Sequence, residues 1–295
     1  MKILFIGCVK SSERFLQAIY HKTTAELIGV VTKIESKYNA DHVALDDFCD
    51  KKNIDWLNYE NNEQLLNWVK QKNPDIIYCF GWSYLLPKEI YSLPPLGAIG
   101  YHPTLLPKNR GRHPIIWTLV LGLKETGSTF FYLTDIPDAG DILSQKRIVL
   151  EDSEDANSLY EKLLTVGEQQ VVDMTNNIMS QTITPITQDE QQATYWRKRS
   201  KIDGEIDWRM NAKTILQLIK ALTKPYVGAH FQYNNMDITI WRAKVLESHD
   251  MDNIEPGKIV NVNVNDNSFM VKTADKLLQI LEYEGDFIPK EGEYL

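Results

Sequence analysis

The chain has 295 residues, enough for a sizeable core and, as a prior, two domains. Its 43% hydrophobic and 24% charged residues suit a soluble globular protein, and a net charge of −8 argues against a general nucleic-acid binder. No run of about 18 apolar residues occurs, so no membrane span is expected.

The first segment, "MKILFIGCVK", carries an apolar run too short for a signal peptide and is expected to be a buried strand over 2–7. "SSERFLQAIY" (11–20) places Phe15 and Ile19 at helical spacing, with Ser11 or Ser12 as cap. "ELIGVVT" (26–32), "PDIIYCFG" (74–81) and "GAIGY" (97–101) read as further strands, and 41–52 and 62–72 as helices. Such alternation predicts a mostly parallel sheet in a Rossmann-like α/β domain, with ligands beyond the carboxyl ends of its strands. A helix over 113–122 with Pro114 in its first turn, strands over 128–134 and 141–150, and a long helix over 158–179 follow. Residues 180–204 lack sustained periodicity and read as a linker. A helix over 211–222 and five short strands then predict a small antiparallel, OB-like β-barrel. The expected division is 1–190, a linker over 191–208, and 209–295. Cys8, Cys49 and Cys79 are scattered, which suits buried thiols in a reducing cytoplasm and neither a disulfide framework nor a metal site.

Two stretches carry chemistry. "GYHPTLLPKNRGRHP" (100–114) places His102 one residue past a strand, at the start of a proline-stiffened basic loop. Histidine titrates near neutrality and suits proton transfer. "DIPDAGD" (135–141) offers three carboxylates on one turn, able to orient a histidine or simply to be solvated. "GCVKSS" (7–12) lacks a GxGxxG pattern, but Gly7, Lys10 and Ser11 could meet a phosphate at a helix start. The basic run "WRKRSK" (196–201) fits phosphate binding or a solvated linker equally.

Together, "HPTLLPKNRGRHPI" and the downstream "DAGDIL" resemble the folate-dependent formyltransferase family, and "FGWSYLLP" (80–87) is similar to its folate-site segment. "WRKRSKIDGEIDW" and "IKALTKPYVGA" (219–229) resemble the linker and second-domain opening of its tRNA and sugar-amine branches. The resemblance implies N10-formyltetrahydrofolate as cosubstrate and a primary amine as acceptor, without a metal. It implies His102 for proton transfer and carbonyl polarisation and Asp138 as its partner, with Asp141 as second choice. Phe80, Gly81, Trp82, Leu85, Leu86 and Pro87, with Asp135, Ile136 and Gly140, would hold the pterin, mainly through backbone groups. The family's third catalytic residue, an asparagine two positions before the histidine, is here Gly100. Such an amide donor is worth about 3 kcal/mol, and Asn109 is the candidate to replace it.

A tRNA acceptor calls for a basic second domain, but residues 209–295 hold 10 Lys+Arg against 12 Asp+Glu, a balance of −2. The loop 31–42 supplies only Lys33 and Lys37 as cations, beside two acids. The expected acceptor is therefore a nucleotide-linked amino sugar of surface-polysaccharide synthesis, its phosphates met by Lys10, Arg110, Arg112 and Arg197 and its base stacked on Trp82 or Tyr226. The expected partners thus include neither nucleic acid nor membrane, and the oligomeric state is left open, a homodimer included. A methionyl-tRNA formyltransferase is the alternative within the family. A catalytically inactive folate- or nucleotide-sugar-binding protein is the alternative outside catalysis.

Overall fold

The computed structural model describes residues 1–36, 39–247, 251 and 253–295; Lys37, counted above, lies outside them. The chain divides into two compact units. One comprises Met1–Pro114, Glu125–Val149 and Glu161–Arg197, the other Ile115–Lys124, Leu150–Tyr160 and Lys198–Leu295.

In chain order the elements are β1 (Lys2–Ile6), α1 (Lys10–Lys22), β2 (Glu26–Thr32), α2 (Asp46–Lys52), β3 (Trp56–Asn58), α3 (Asn62–Lys72) and β4 (Ile76–Cys79). There follow α4 (Lys88–Tyr91), β5 (Ala98–His102), β6 (Arg110–Gly111), α5 (Pro114–Val120), β7 (Glu125–Tyr132), β8 (Ile142–Val149), α6 (Ala156–Met179) and β9 (Tyr195–Trp196). The seven-stranded sheet of the first unit has the order β3-β2-β1-β4-β5-β7-β8. Its first five strands run parallel, and β7 and β8 are antiparallel to their neighbours. The sheet is thus mixed at one edge. β3 and α4 escape the sequence reading because each is too short to show a period. The expected helix over 41–52 is only α2.

Helix α1 buries Phe15, Leu16, Ala18 and Ile19 along one stripe, as its spacing predicts. Phe15 meets Tyr101, Phe80 and Phe130 at ring-centroid distances of 5.0–5.9 Å, so one face of the sheet is closed by aromatics. Neither Ser11 nor Ser12 is the cap. Val9 flanks the helix, and the Ser12 hydroxyl accepts from the Val9 N–H at 3.2 Å and donates to the Phe80 carbonyl at 2.6 Å.

The second unit holds α7 (Ala212–Leu222) and the strands β10 (Ala229–Tyr233), β11 (Met236–Leu246), β12 (Ile259–Asn263), β13 (Ser268–Lys272) and β14 (Leu277–Glu284). These pair antiparallel in the order β10-β11-β14-β13-β12. α7 lies against β10, β11 and β14 and contributes buried Ile215, Leu218, Ile219 and Leu222 to a core with Phe231, Ile238, Ile240 and Ile280. The fold is α/β: a mostly parallel sheet and a separate small antiparallel module. No helix among the described residues is long and apolar enough to cross a membrane.

Candidate active site

Strand β5 carries Gly100 and His102 on one face, because side chains alternate along a strand. His102 is the last residue of the strand rather than one residue past it, and it is buried, 5% exposed, not solvent-facing. The loop behind it is tied down. Thr129 Oγ1 donates to the Thr104 carbonyl at 2.6 Å, and Gln145 Nε2 donates to the Leu106 carbonyl at 2.9 Å. Leu106 packs with Phe131 and Ile142, which accounts for a buried leucine in a loop of this composition. The chain returns through Asn109, at φ 65°, to Gly111, at φ 108°. Any β-carbon on Gly111 would sit 2.3 Å from the Trp196 carbonyl oxygen, so only glycine fits there.

His102 Nε2 lies 2.8 Å from the Asn109 carbonyl oxygen. A carbonyl only accepts, so Nε2 carries the hydrogen and the neutral ring keeps its lone pair on Nδ1. Nδ1 is 3.8 Å from Asp138 Oδ2, a distance for charge stabilisation or a bridging water rather than a direct hydrogen bond. The same carboxylate oxygen accepts the Gly111 N–H at 2.9 Å. Asp138 reaches this point by an unexpected route. β7 is antiparallel to β5 and pairs Tyr132 with Ile99, so the β7–β8 loop leaves the sheet about 10 Å from His102 along β5. It therefore folds back along the sheet. Its near end is anchored by Asp135, which accepts from Tyr91 and from Lys88.

The other anchor comes from residues read as linker. β9 pairs in parallel with β6, so Arg110 faces Tyr195 and Gly111 faces Trp196. The Asn109 N–H donates to Thr194 Oγ1 at 2.8 Å, and Thr194 Oγ1 donates to the Asn109 side-chain oxygen at 3.2 Å. Asn109 thus meets His102 through its backbone and Thr194 through its amide. Arg110, expected to bind phosphate, is 0% exposed. Its five N–H groups go to Gln188 Oε1 (twice), both Glu190 carboxylate oxygens and the Tyr195 hydroxyl, at 2.6–3.2 Å. None remains for a ligand. Gln188, 6% exposed, donates from Nε2 to the Asp138 and Gly140 carbonyls at 2.9 and 2.7 Å. Sequence reasoning missed Gln188, Glu190 and Thr194, because a two-residue strand and one buried cation leave no periodic trace.

Other expected ligands divide similarly. Phe80 is core: it is fully buried, its N–H donates to the Ile6 carbonyl, and its carbonyl accepts from Ser12. Gly7 and Gly81 are packing glycines, since a β-carbon on either would strike the Ser12 side chain at 2.5–2.6 Å. Ser11 is buried, and Lys10 is paired with Glu161 at 2.5 Å. Trp82, Leu86 and Pro87 are half-buried, and Trp82 stacks edge-on with Tyr59. Leu85 and Ile136 are 78% and 58% exposed, apolar surface on the two segments expected to take a flat heterocycle. Arg112 is exposed and forms no ion pair among the described residues, and Arg197 is exposed. Tyr226 is half-buried in the second unit. No cluster of metal-binding side chains occurs among the described residues.

Residues 1–175 match the formyl transferase family model, and residues 198–286 match that of the formyl transferase C-terminal domain. The chain belongs to the formyl transferase family. Its reaction class is the transfer of a formyl group. It is 30% identical over 304 residues to the methionyl-tRNA formyltransferase of Caldanaerobacter subterraneus subsp. tengcongensis, covering 100% of this chain and 96% of that one. It is 35% identical over 222 residues to the bifunctional polymyxin resistance protein ArnA of Wigglesworthia glossinidia brevipalpis, covering 75% of this chain and 33% of that protein. Among solved structures, HypX from Aquifex aeolicus with tetrahydrofolic acid superposes with a TM-score of 0.71 at 17% identity, over 96% of this chain and 44% of that one. The N-formyltransferase from Helicobacter canadensis with folinic acid and dTDP-3-aminofucose gives 0.70 at 16%, over 96% of this chain and 100% of that one. At these identities the structures show a shared fold.

Within this formyl transferase the space beside Gly100 is filled. A β-carbon there would meet Leu133 Cδ2 at 2.7 Å and the Phe131 ring at 2.9 Å. Phe131 is the direct cross-strand partner of Gly100. The glycine and the phenylalanine thus fit one another, and an apolar ring stands on the face that also carries His102.

Proposed function

We propose that the chain transfers a formyl group from N10-formyltetrahydrofolate to the primary amine of a nucleotide-linked amino sugar, in the cytoplasm. The single observation that carries the chemistry is the buried His102, its Nδ1 lone pair facing Asp138 and its Nε2 held by Asn109. When bound, the folate supplies an electrophilic formyl carbon. His102 Nδ1 takes the proton that the amine nitrogen sheds as its new bond to carbon forms, and returns it to the departing folate nitrogen. Asp138 stabilises the imidazolium between these two transfers. Exposed Leu85 and Ile136, with half-buried Trp82, offer the apolar surface for the pterin.

The sugar reading is supported by the −2 balance of residues 209–295, which does not suit a polyphosphate backbone. Arg112, exposed on the His102 loop, is a cation available for a diphosphate. The dTDP-3-aminofucose bound by the Helicobacter canadensis enzyme has this chemistry. A tRNA acceptor is the second reading, favoured by full-length identity to a methionyl-tRNA formyltransferase. The cytoplasmic reading agrees with three free cysteines, of which burial pushes Cys8 and Cys49 up to about 11 and 12.

Folate dependence is tested by incubating the protein with nucleotide amino sugars, with and without N10-formyltetrahydrofolate, and reading the mass gain of one formyl group. The gain is expected only with the folate. Formylation of equal extent without it would overturn the cosubstrate assignment.

A further inference from the structure

We propose that Gln188 is a positioning residue for formyl transfer, fixing Asp138 relative to His102; this rests on reading that pair as the group that handles the proton. A glutamine amide has four hydrogen-bonding positions, two acceptor and two donor. In Gln188 all four are used within the site. Oε1 accepts from Nε and Nη2 of Arg110, at 3.2 and 2.8 Å, on the loop that follows His102. Nε2 donates to the carbonyls of Asp138 and Gly140, at 2.9 and 2.7 Å, on the loop that carries the carboxylate. One buried side chain therefore joins the two loops, and no group in it is spare for a ligand.

The joint is needed because of how Asp138 arrives. Its loop leaves the sheet at the far end of β5, and Asp138 itself sits at φ 60°, a left-handed conformation that is uncommon for residues other than glycine. The Gly111 N–H fixes one carboxylate oxygen at 2.9 Å, but it acts on the side chain alone. Gln188 fixes the backbone at Asp138 and again two residues on. Arg110 in turn is held by Glu190 and Tyr195, so residues 188–196 act as a strap across both loops.

The test uses Gln188→Met and Gln188→Glu in the full chain. Met removes all four bonds; Glu keeps the acceptor for Arg110 and loses the donors to Asp138 and Gly140. The first readout is amide hydrogen exchange at Gly111, whose partner is the Asp138 carboxylate. Arg110 and Arg112, whose N–H groups bond the Thr194 and Trp196 carbonyls, serve as internal controls. Both variants are expected to speed exchange at Gly111 by about tenfold or more while the two controls stay protected. The second readout is kinetic. Both variants should lose kcat by about 10- to 100-fold with KM for either substrate within about threefold, and adding Gln188→Met to Asp138→Asn should cost little more than Asp138→Asn alone. Unchanged protection at Gly111, equal loss of protection at all three amides, wild-type behaviour of Gln188→Glu, or full additivity with Asp138→Asn would each overturn the proposal. Should Gln188→Met not fold, Gln188→Glu carries the exchange measurement. If the wild-type protein formylates no acceptor, the proposed function fails, while exchange at Gly111 still decides the role of Gln188.

Discussion

His102 Nδ1 stands 3.8 Å from Asp138 Oδ2, two residues brought together from the carboxyl end of β5 and a loop that starts at the opposite end of that strand. The gap is longer than a direct hydrogen bond, which leaves the Nδ1 lone pair open to an incoming proton. Asp138→Asn keeps an acceptor for the Gly111 N–H and removes the charge. It should lower kcat by about 10²–10⁴ with little change in KM. His102→Ala should abolish turnover. Because His102 is buried and bonded to Asn109, it should also cost about 1–3 kcal/mol in a urea melt.

The two arginines of the loop separate a ligand role from a structural one. Arg112→Ala should raise KM for the acceptor about tenfold or more at nearly constant kcat, as for loss of uniform binding to a charged group. Arg110→Met should act on stability instead, by about 2–4 kcal/mol, because it strands the buried Gln188 acceptor and breaks a charged network. Steady-state kinetics beside denaturation of each variant checks both. A KM effect from Arg110→Met without destabilisation would show that it does meet substrate.

Gly100 tests whether the missing amide can be restored. Gly100→Asn alone should lower stability by about 1–3 kcal/mol and give no gain in rate, because Phe131 and Leu133 occupy the space. Combined with Phe131→Ala, which opens that space, it should recover stability relative to Gly100→Asn and raise kcat above that of Phe131→Ala alone. Melting and single-turnover rates of the three variants decide the matter.

Much of this fold was legible in the sequence. β1, β2, β4 and β5 were visible as apolar runs, and the stripe of α1 as Phe15 and Ile19. The antiparallel turn of β7 was not, since a buried strand reads the same in either direction, and the path of the Asp138 loop follows from that turn. His102 stands out by its place at the end of a strand, whereas the choice of Asp138 among three carboxylates comes from the family resemblance. Arg110 was named for the wrong reason: a cation beside a histidine loop looks like a phosphate ligand until its carboxylate, 80 residues on, is seen. Asn109 is expected for its side-chain amide, whose oxygen accepts from Thr194, while its backbone carbonyl holds the histidine. Gln188 left no signal, because a glutamine in a polar stretch is ordinary until its four bonds are counted.

The strap should respond to acid. Hydrogen bonding to Arg110 holds the Glu190 carboxyl below the usual value of 4.5. A carboxylate whose folded pKa is depressed stabilises the fold fully above its unfolded pKa, and that contribution is lost as pH falls through the folded value. Wild type and Glu190→Gln should therefore differ in urea midpoint at pH 7 and converge as pH falls below 4.5. A constant difference down to acid unfolding would show that the pair contributes no charge-dependent stability.

The acceptor is the central claim. The direct measurement is kcat/KM for formyl transfer to a panel of nucleotide-linked amino sugars beside charged initiator tRNA, at one ionic strength and with the same folate donor. The account predicts measurable transfer to at least one amino sugar at a kcat/KM well above that for tRNA. Efficient formylation of the tRNA with none of any sugar would contradict it.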